Sequence, residues 1–233
     1  MLIVNADDLG YDPEIDRGIL EAHAHGVVSS ATAMVDTPFS AEALRRAPRS
    51  LGIGLHAVLD LQLGRAEAER EIARQLDRFA ELRGALPDHL DSHKHHHAQP
   101  ALLEAMARSA AARGLPVRAL DLRMRKFLRE RGVRTTDLFL GDADLRPCWT
   151  GLLLAQALES AEADLVLEAA APGSRAAPAA PRSIEVMCHP GYPPSQARTS
   201  FGKEREIELA ACLDERVRAV AGRLGLGTFA TVQ

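Results

Sequence analysis

The chain has 233 residues, 46% of them hydrophobic and 26% charged, with a formal net charge of −4 at pH 7. That length builds one larger core or two small ones, and the negative balance without a long Lys/Arg run excludes an electrostatic nucleic-acid footprint. No apolar run approaches the roughly 18 residues of a membrane span. Met1-Leu-Ile-Val-Asn5 meets a carboxylate pair too early for a signal peptide, and Cys148, Cys188 and Cys212 lack paired spacing, so reduced thiols and a cytoplasmic location are expected.

In chain order, residues 2–5 are apolar and β-branched and predict a buried strand ending in the turn Asp7-Asp8-Leu-Gly10. Asp12 and Pro13 supply a helix N-cap and a first-turn proline; Ile15, Ile19, Leu20 and Ala22 follow at helical spacing until Gly26. Residues 30–35 predict a second strand and 39–47 a short helix stopped by Pro48. A third strand is predicted over 52–59, with His56 well along it, and 67–83 carries Ile72, Leu76, Phe79 and Leu82 on one face of an amphipathic helix. Leu90 leads into Asp91-Ser-His-Lys-His-His-His97, after which 100–113 predicts a helix ending at Gly114. Residues 117–120 predict a brief strand and 121–131 and 147–159 helices, whereas 133–140 fits either state. The Ala/Pro/Gly-rich stretch 168–181 receives no assignment; 184–189 is a clear strand, 201–224 a closing helix and 226–232 a last short strand.

Strands alternating with helices indicate one α/β domain over residues 1–233 with a mainly parallel sheet, either doubly wound or closed into a barrel. Polar residues stand at the C-terminal ends of four separate strands: Asp7 and Asp8, His56, Asp91 with His93, and His189. A barrel brings those ends to one mouth, whereas an open sheet gathers only neighbours, so an irregular (β/α) barrel of about seven strands with outer helices is expected.

Four histidines fall between Asp91 and His97. If the run is extended, Asp91, His93, His95 and His97 share one face and His96 points away; the alternative is a hydrophilic loop that is His-rich by chance. Asp8, His56 and His93 together make a two-His, one-carboxylate site with positions left open, the arrangement of a catalytic metal rather than a structural one. A metal held this way lowers the pKa of a bound water and polarises a carbonyl oxygen, as amide hydrolysis needs. Asp7 is placed to take a proton, and His189 to protonate the leaving amine. Asp91, His95, His97 and Glu185, which has the parity of His189, are candidates for substrate contact or for support of the ligands. His23 and His25 read as solvent-side residues, His89 as a strand start, and Trp149 as core rather than a sugar platform. Cys188 and His189 are adjacent on a strand and point apart, which excludes a thiol–imidazole pair.

Asn5-Ala-Asp-Asp-Leu-Gly10, Gly54-Leu-His56, Asp91-Ser-His93 and Glu185-Val-Met-Cys-His-Pro190 resemble, in order and approximate spacing, the motifs of the YdjC-like carbohydrate deacetylases, a group that includes chitooligosaccharide and hopanoid-associated deacetylases. The resemblance implies an irregular (β/α) barrel that removes acetyl groups from N-acetylated amino sugars with one divalent ion. On the matched positions it implies Asp8, His56 and His93 as metal ligands and Asp7 as the base. Between zinc and magnesium, the imidazoles suit zinc by softness. A small acetylated amino sugar is then the expected partner, and a homodimer is entertained. Residues 57–66 are shorter than the family's usual insertion at the mouth, so the substrate need not be a chitooligosaccharide. Two other classes remain open, a metal-dependent phosphoesterase and a non-catalytic sugar- or metal-binding protein.

Overall fold

β1, Leu2–Leu9, is buried at every position, as a strand paired on both edges and covered on both faces must be. It pairs in parallel with β2, Ser30–Ala33, on one side and with β6, Ile184–Cys188, on the other. Beyond β2 follow β3, Gly52–Ala57, and β4, Leu90–Ser92; beyond β6 lies β5, Leu138–Leu140. The six strands thus run in the order β4-β3-β2-β1-β6-β5, all parallel. The computed structural model describes residues 1–141, 148–169 and 183–232, so most of the unassigned 168–181 stretch and the start of the 147–159 prediction lie outside the described residues.

Arg118 shows that the sheet is curled. The preceding Val117 bridges Leu90 at the outer edge of β4, yet Arg118 reaches Asp7 on β1 at 2.7 Å and Glu185 on β6 at 2.5 Å. In a flat sheet with strands about 4.8 Å apart, Val117 would stand roughly 19 Å from β1, beyond the reach of an arginine side chain. The result is a curled half-barrel, and the gap between β4 and β5 is narrowed by the Val117 N–H donating to the Arg134 carbonyl at 2.9 Å. The expected irregular barrel is therefore present with one strand fewer. Residues 117–120 contribute only the bridge to Leu90, and 226–232 only a bridge from Leu226 to Leu2 and a 3-10 turn, Phe229–Thr231. That last segment turns inward because the Phe229 ring stacks on His89, with centroids 3.7 Å apart. A Cβ on Gly54 would stand 2.4 Å from the His89 ring, which is why glycine precedes Leu55 and His56. β5 comes instead from the 133–140 segment that fits either state.

The connections are helical: α1 (Pro13–His25), α2 (Ser40–Arg46), α3 (Arg65–Arg83), α4 (Pro100–Ala111), α5 (Leu122–Arg129), α6 (Gly151–Ala169), α7 (Glu204–Leu213) and α8 (Glu215–Leu224). The predicted cap forms, with Asp12 accepting the Glu14 N–H at 2.9 Å, and Asp121, expected only as the start of a helix, caps α5 by accepting the Met124 N–H at 2.7 Å. The single closing helix expected over 201–224 is two, because Asp214 adopts ψ 130 and its carboxylate accepts the Arg216 N–H at 2.8 Å, capping a new start. Asp12 also accepts the N–H groups of Gln196 and Ala197 at 2.7 and 2.9 Å, tying the loop after β6 to the start of α1. A Cβ on Gly18 would stand 2.4 Å from the Gly191 Cα, so α1 and that loop meet backbone to backbone. No helix among the described residues is long and apolar enough to cross a membrane.

Candidate active site

β1 does not stop before the acidic pair, as the sequence suggests, but runs through it with a register shift against β2 between Ala6 and Leu9. A regular strand would send Asp7 and Asp8 to opposite faces. The irregularity, with Asp8 at φ 74, brings both carboxylates to the wall of one cavity at the C-terminal mouth. Among the described residues, the other non-glycine residues with positive φ are Lys94 and His95, and they line the same cavity. Backbone of this kind persists where the surroundings enforce it, and such sites gather at functional centres.

Asp8 Oδ1 lies 3.4 Å from His56 Nε2 and 3.3 Å from His93 Nδ1, and the two nitrogens are 3.4 Å apart. Oδ1 is buried without a hydrogen-bond partner. Donor atoms bound at about 2.1 Å to a tetrahedral ion stand about 3.4 Å from one another, so the three residues are spaced to hold one divalent ion. His56 Nδ1 is 2.7 Å from Asp91 Oδ1, the residue opposite it in the β3–β4 register, which fixes the ring with Nε2 toward the triangle. Burial opposes charge on His56, but Asp91 and Asp7 outweigh it and hold its pKa well above the ordinary value. Burial likewise opposes ionisation of Asp8, but His56, His93 and Arg205 hold it ionised, with its pKa well below the usual range.

Beneath the triangle lies a residue the sequence reading does not single out. The fully buried Arg118 places Nη1 2.7 Å from both Asp7 Oδ2 and Asp91 Oδ2, Nη2 2.7 Å from Asp7 Oδ1, and Nε 2.5 Å from Glu185 Oε1. Asp7 also accepts from Asn5 Nδ2 at 2.8 Å and Thr32 Oγ1 at 3.2 Å. Burial works to raise the Asp7 carboxyl, but the charge and paired hydrogen bonds of Arg118 hold it far below the usual range. Glu185 lies deeper, away from the cavity, and burial pushes its carboxyl up against the pull of Arg118.

The predicted alternation of the histidine run does not hold. β4 ends at Ser92, and His93–Ala98 folds into a 3-10 turn with Lys94 at φ 53 and His95 at φ 54. The Ser92 hydroxyl accepts the His97 N–H at 2.9 Å and closes the turn, so the imidazoles do not form a row above Asp91. His93 alone of the four joins the triangle. His97 is buried behind it, with Nδ1 2.6 Å from Ser92 Oγ and Nε2 3.3 Å from the Arg118 carbonyl, and burial pushes its pKa down to about 4. His95 reaches the cavity wall edge-on to Phe139, with its pKa pushed by burial and by Arg118 down to about 3. His96 points elsewhere, its Nδ1 2.6 Å from the Leu59 carbonyl in the short loop after β3.

His189 follows β6, where Ala6 pairs with Cys188, so it sits beside Asp7 on the next strand rather than across the mouth. Its N–H donates to Glu208 Oε2 at 2.5 Å, and its ring lies 5.2 Å from that of Phe201. Glu208 Oε1 accepts the Trp149 N–H at 3.0 Å, and the Trp149 indole donates to the Met187 carbonyl at 2.9 Å. Trp149 is thus a buried residue with one edge on the cavity, and Cys188 is buried with its thiol directed at the Asn5 carbonyl. Asp7, Asp8, His93, His95, His189 and Arg205 face one cavity of about 540 Å³.

The profile of a family described as YdjC-like protein matches residues 1–63 and 59–222. The chain belongs to the YdjC-like family. Chitooligosaccharide deacetylase of Serratia marcescens is 35% identical to it over 265 aligned residues, covering 98% of each chain. Carbohydrate deacetylase of Geobacillus stearothermophilus is 30% identical, covering 96% of this chain and 94% of its own. A crystal structure from Enterococcus faecalis, described as a cellobiose-phosphate cleavage protein, superposes with a TM-score of 0.79 at 26% identity and covers 98% of this chain and 97% of its own. The two segments matched by the YdjC-like profile overlap at residues 59–63, in the loop between β3 and α3.

This YdjC-like site contains three charged residues absent from the sequence reading: Arg118, Arg205 and Glu208. Arg118 is the single charge in the run from Val117 to Leu120, an isolated cation in a strand-like apolar stretch. Arg205 and Glu208 are three apart on α7 and share its buried face with Leu209 and Cys212. A cation and an acid on the apolar stripe of an amphipathic helix are a signal that something inside pairs with them.

Proposed function

We propose that this chain is a metal-dependent carbohydrate N-deacetylase that hydrolyses the acetamide of an N-acetylated amino sugar. One observation carries the reading: the triangle of Asp8, His56 and His93 opens onto a cavity that also presents an ionised carboxylate, Asp7, and an imidazole, His189. The deacetylase names of its relatives support the same reaction. A carboxylate held as low as Asp7 accepts a proton only from a water already made acidic, and a divalent ion, zinc rather than magnesium, would supply that acidity and polarise the acyl oxygen. Asp7 takes a proton as water adds to the acyl carbon, and Arg118 keeps it aligned. His189 gives a proton to the nitrogen as the carbon–nitrogen bond breaks, so acetate and a free amine leave. The cavity is of the size that holds one sugar-sized group.

A two-metal phosphoesterase fits less well. The second cluster of potential ligands among the described residues, Asp7, His56 and Asp91, is closed by Arg118. Zinc-loaded protein is expected to release acetate from N-acetylglucosamine oligomers and no phosphate from p-nitrophenyl phosphate; the reverse pattern overturns the proposal. In the same assays, His189→Ala should lose at least about tenfold more activity on an alkyl acetamide than on p-nitrophenyl acetate, because a poor leaving group needs the acid and a good one does not. Equal losses with metal retained would make His189 an orienting residue instead.

A further inference from the structure

We propose that Arg205 contacts the substrate itself, its Nη1 donating a hydrogen bond to the acyl oxygen; this rests on the deacetylase reading above. Arg205 stands at the start of α7, is 1% exposed, and lines the cavity together with Asp8 and His93. A guanidinium carries five N–H donors in a rigid planar fork. Here Nε donates to the Phe201 carbonyl at 2.9 Å and Nη2 to Asp8 Oδ2 at 2.6 Å, while Nη1 is buried with no partner in the protein. A charged donor left unpaired away from water is strongly unfavourable, so a group that completes it is expected.

The surroundings define what that group is. Asp8 Oδ2 is taken by Arg205, which leaves Oδ1 as the oxygen facing His56 and His93. The fork is anchored on Asp8 and Phe201, and Arg205 lines the cavity beside Asp8 and His93, two of the three residues of the donor triangle. The Gly191 N–H donates to the Arg205 carbonyl at 3.2 Å, and a Cβ on Gly191 would stand 3.3 Å from Arg205 Cδ, so the side chain is held along its length. An acyl oxygen gains negative charge as water adds to its carbon, and a fixed cationic donor beside the ligands of a metal favours that charge. Product acetate presents the same oxygen.

Arg205→Lys keeps a charge for Asp8 but offers a single nitrogen, which cannot hold Asp8 and the acyl oxygen in one fork. Zinc affinity is measured first; zinc-loaded wild type and variant are then titrated with sodium acetate by calorimetry, and kcat/KM is measured on N-acetylglucosamine oligomers. The expected result is zinc affinity within about threefold of wild type, acetate binding weaker by at least about tenfold, and kcat/KM lower by roughly 10²–10³. Unchanged acetate binding overturns the proposal. So does a loss of acetate binding that merely follows a loss of zinc, which would make Arg205 a positioning residue acting through Asp8. If circular dichroism shows that Arg205→Lys does not fold, Arg205→Gln, which keeps a neutral donor for Asp8, is held to the same criteria. Acetate binding requires no turnover: a wild type that releases no acetate from any acetylated amino sugar would refute the deacetylase reading, and the titration would still decide the role of Arg205.

Discussion

Replacing Arg118 by methionine is expected to destabilise the protein by about 3–5 kcal/mol at pH 7, or to prevent folding, although the two side chains pack similar lengths of chain. The guanidinium is the shared partner of Asp7, Asp91 and Glu185, all buried, and its removal takes from three buried acids the one cation that contacts them all. The pH dependence identifies the cause. Against burial, Arg118 holds Asp7 and Asp91 below the ordinary carboxylate range, so their contribution is fully present above their unfolded pKa, near 4, and is lost as pH falls toward the folded values. The gap between wild type and variant should therefore be widest at neutral pH and narrow below about pH 4. Urea denaturation at pH 7 and at about pH 2.5 reads both quantities. A variant within about 1 kcal/mol of wild type at pH 7 would show that the cluster is not held together by Arg118.

The second large effect is on turnover. Asp7→Asn preserves shape and leaves Asp8, His56 and His93 untouched, yet removes the proton acceptor, so kcat should fall by roughly 10²–10⁴ with zinc still bound. Arg118 retains Asp91 and Glu185 as partners in that variant, so the fold should survive. Stopped-time acetate assays alongside elemental analysis separate loss of chemistry from loss of metal. Full activity with full zinc would remove Asp7 from the reaction.

The three residues of the donor triangle were legible because strand ends converge whatever the details of curvature: Asp8, His56 and His93 need only a parallel sheet that bends. The support beneath them was not. Arg118 reads as one more arginine in an arginine-rich chain, and its meaning comes from acids on β1, β4 and β6, far apart in sequence, that meet only when the sheet curls. The histidine run misled for a local reason. Alternation presumes extended backbone, whereas Lys94 and His95 take left-handed φ and Ser92 closes a turn on His97, and nothing in the composition of those residues announces it. The pairing of Asp7 with Asp8 at one mouth depended on a register shift in β1 for which a strand-end pattern has no signature.

A single divalent ion held by Asp8, His56 and His93 is the centre of the proposed chemistry. The direct test is metal content by elemental analysis, with acetate release measured on the same samples, for wild type, chelator-treated wild type and His93→Ala after dialysis against equal zinc. One zinc per chain in the wild type is predicted, with acetate release abolished by chelation and restored by zinc. His93→Ala, lacking one of three protein ligands, should retain less than about a tenth of that zinc and of that activity. Wild-type zinc content in His93→Ala, or undiminished acetate release after chelation, would contradict it.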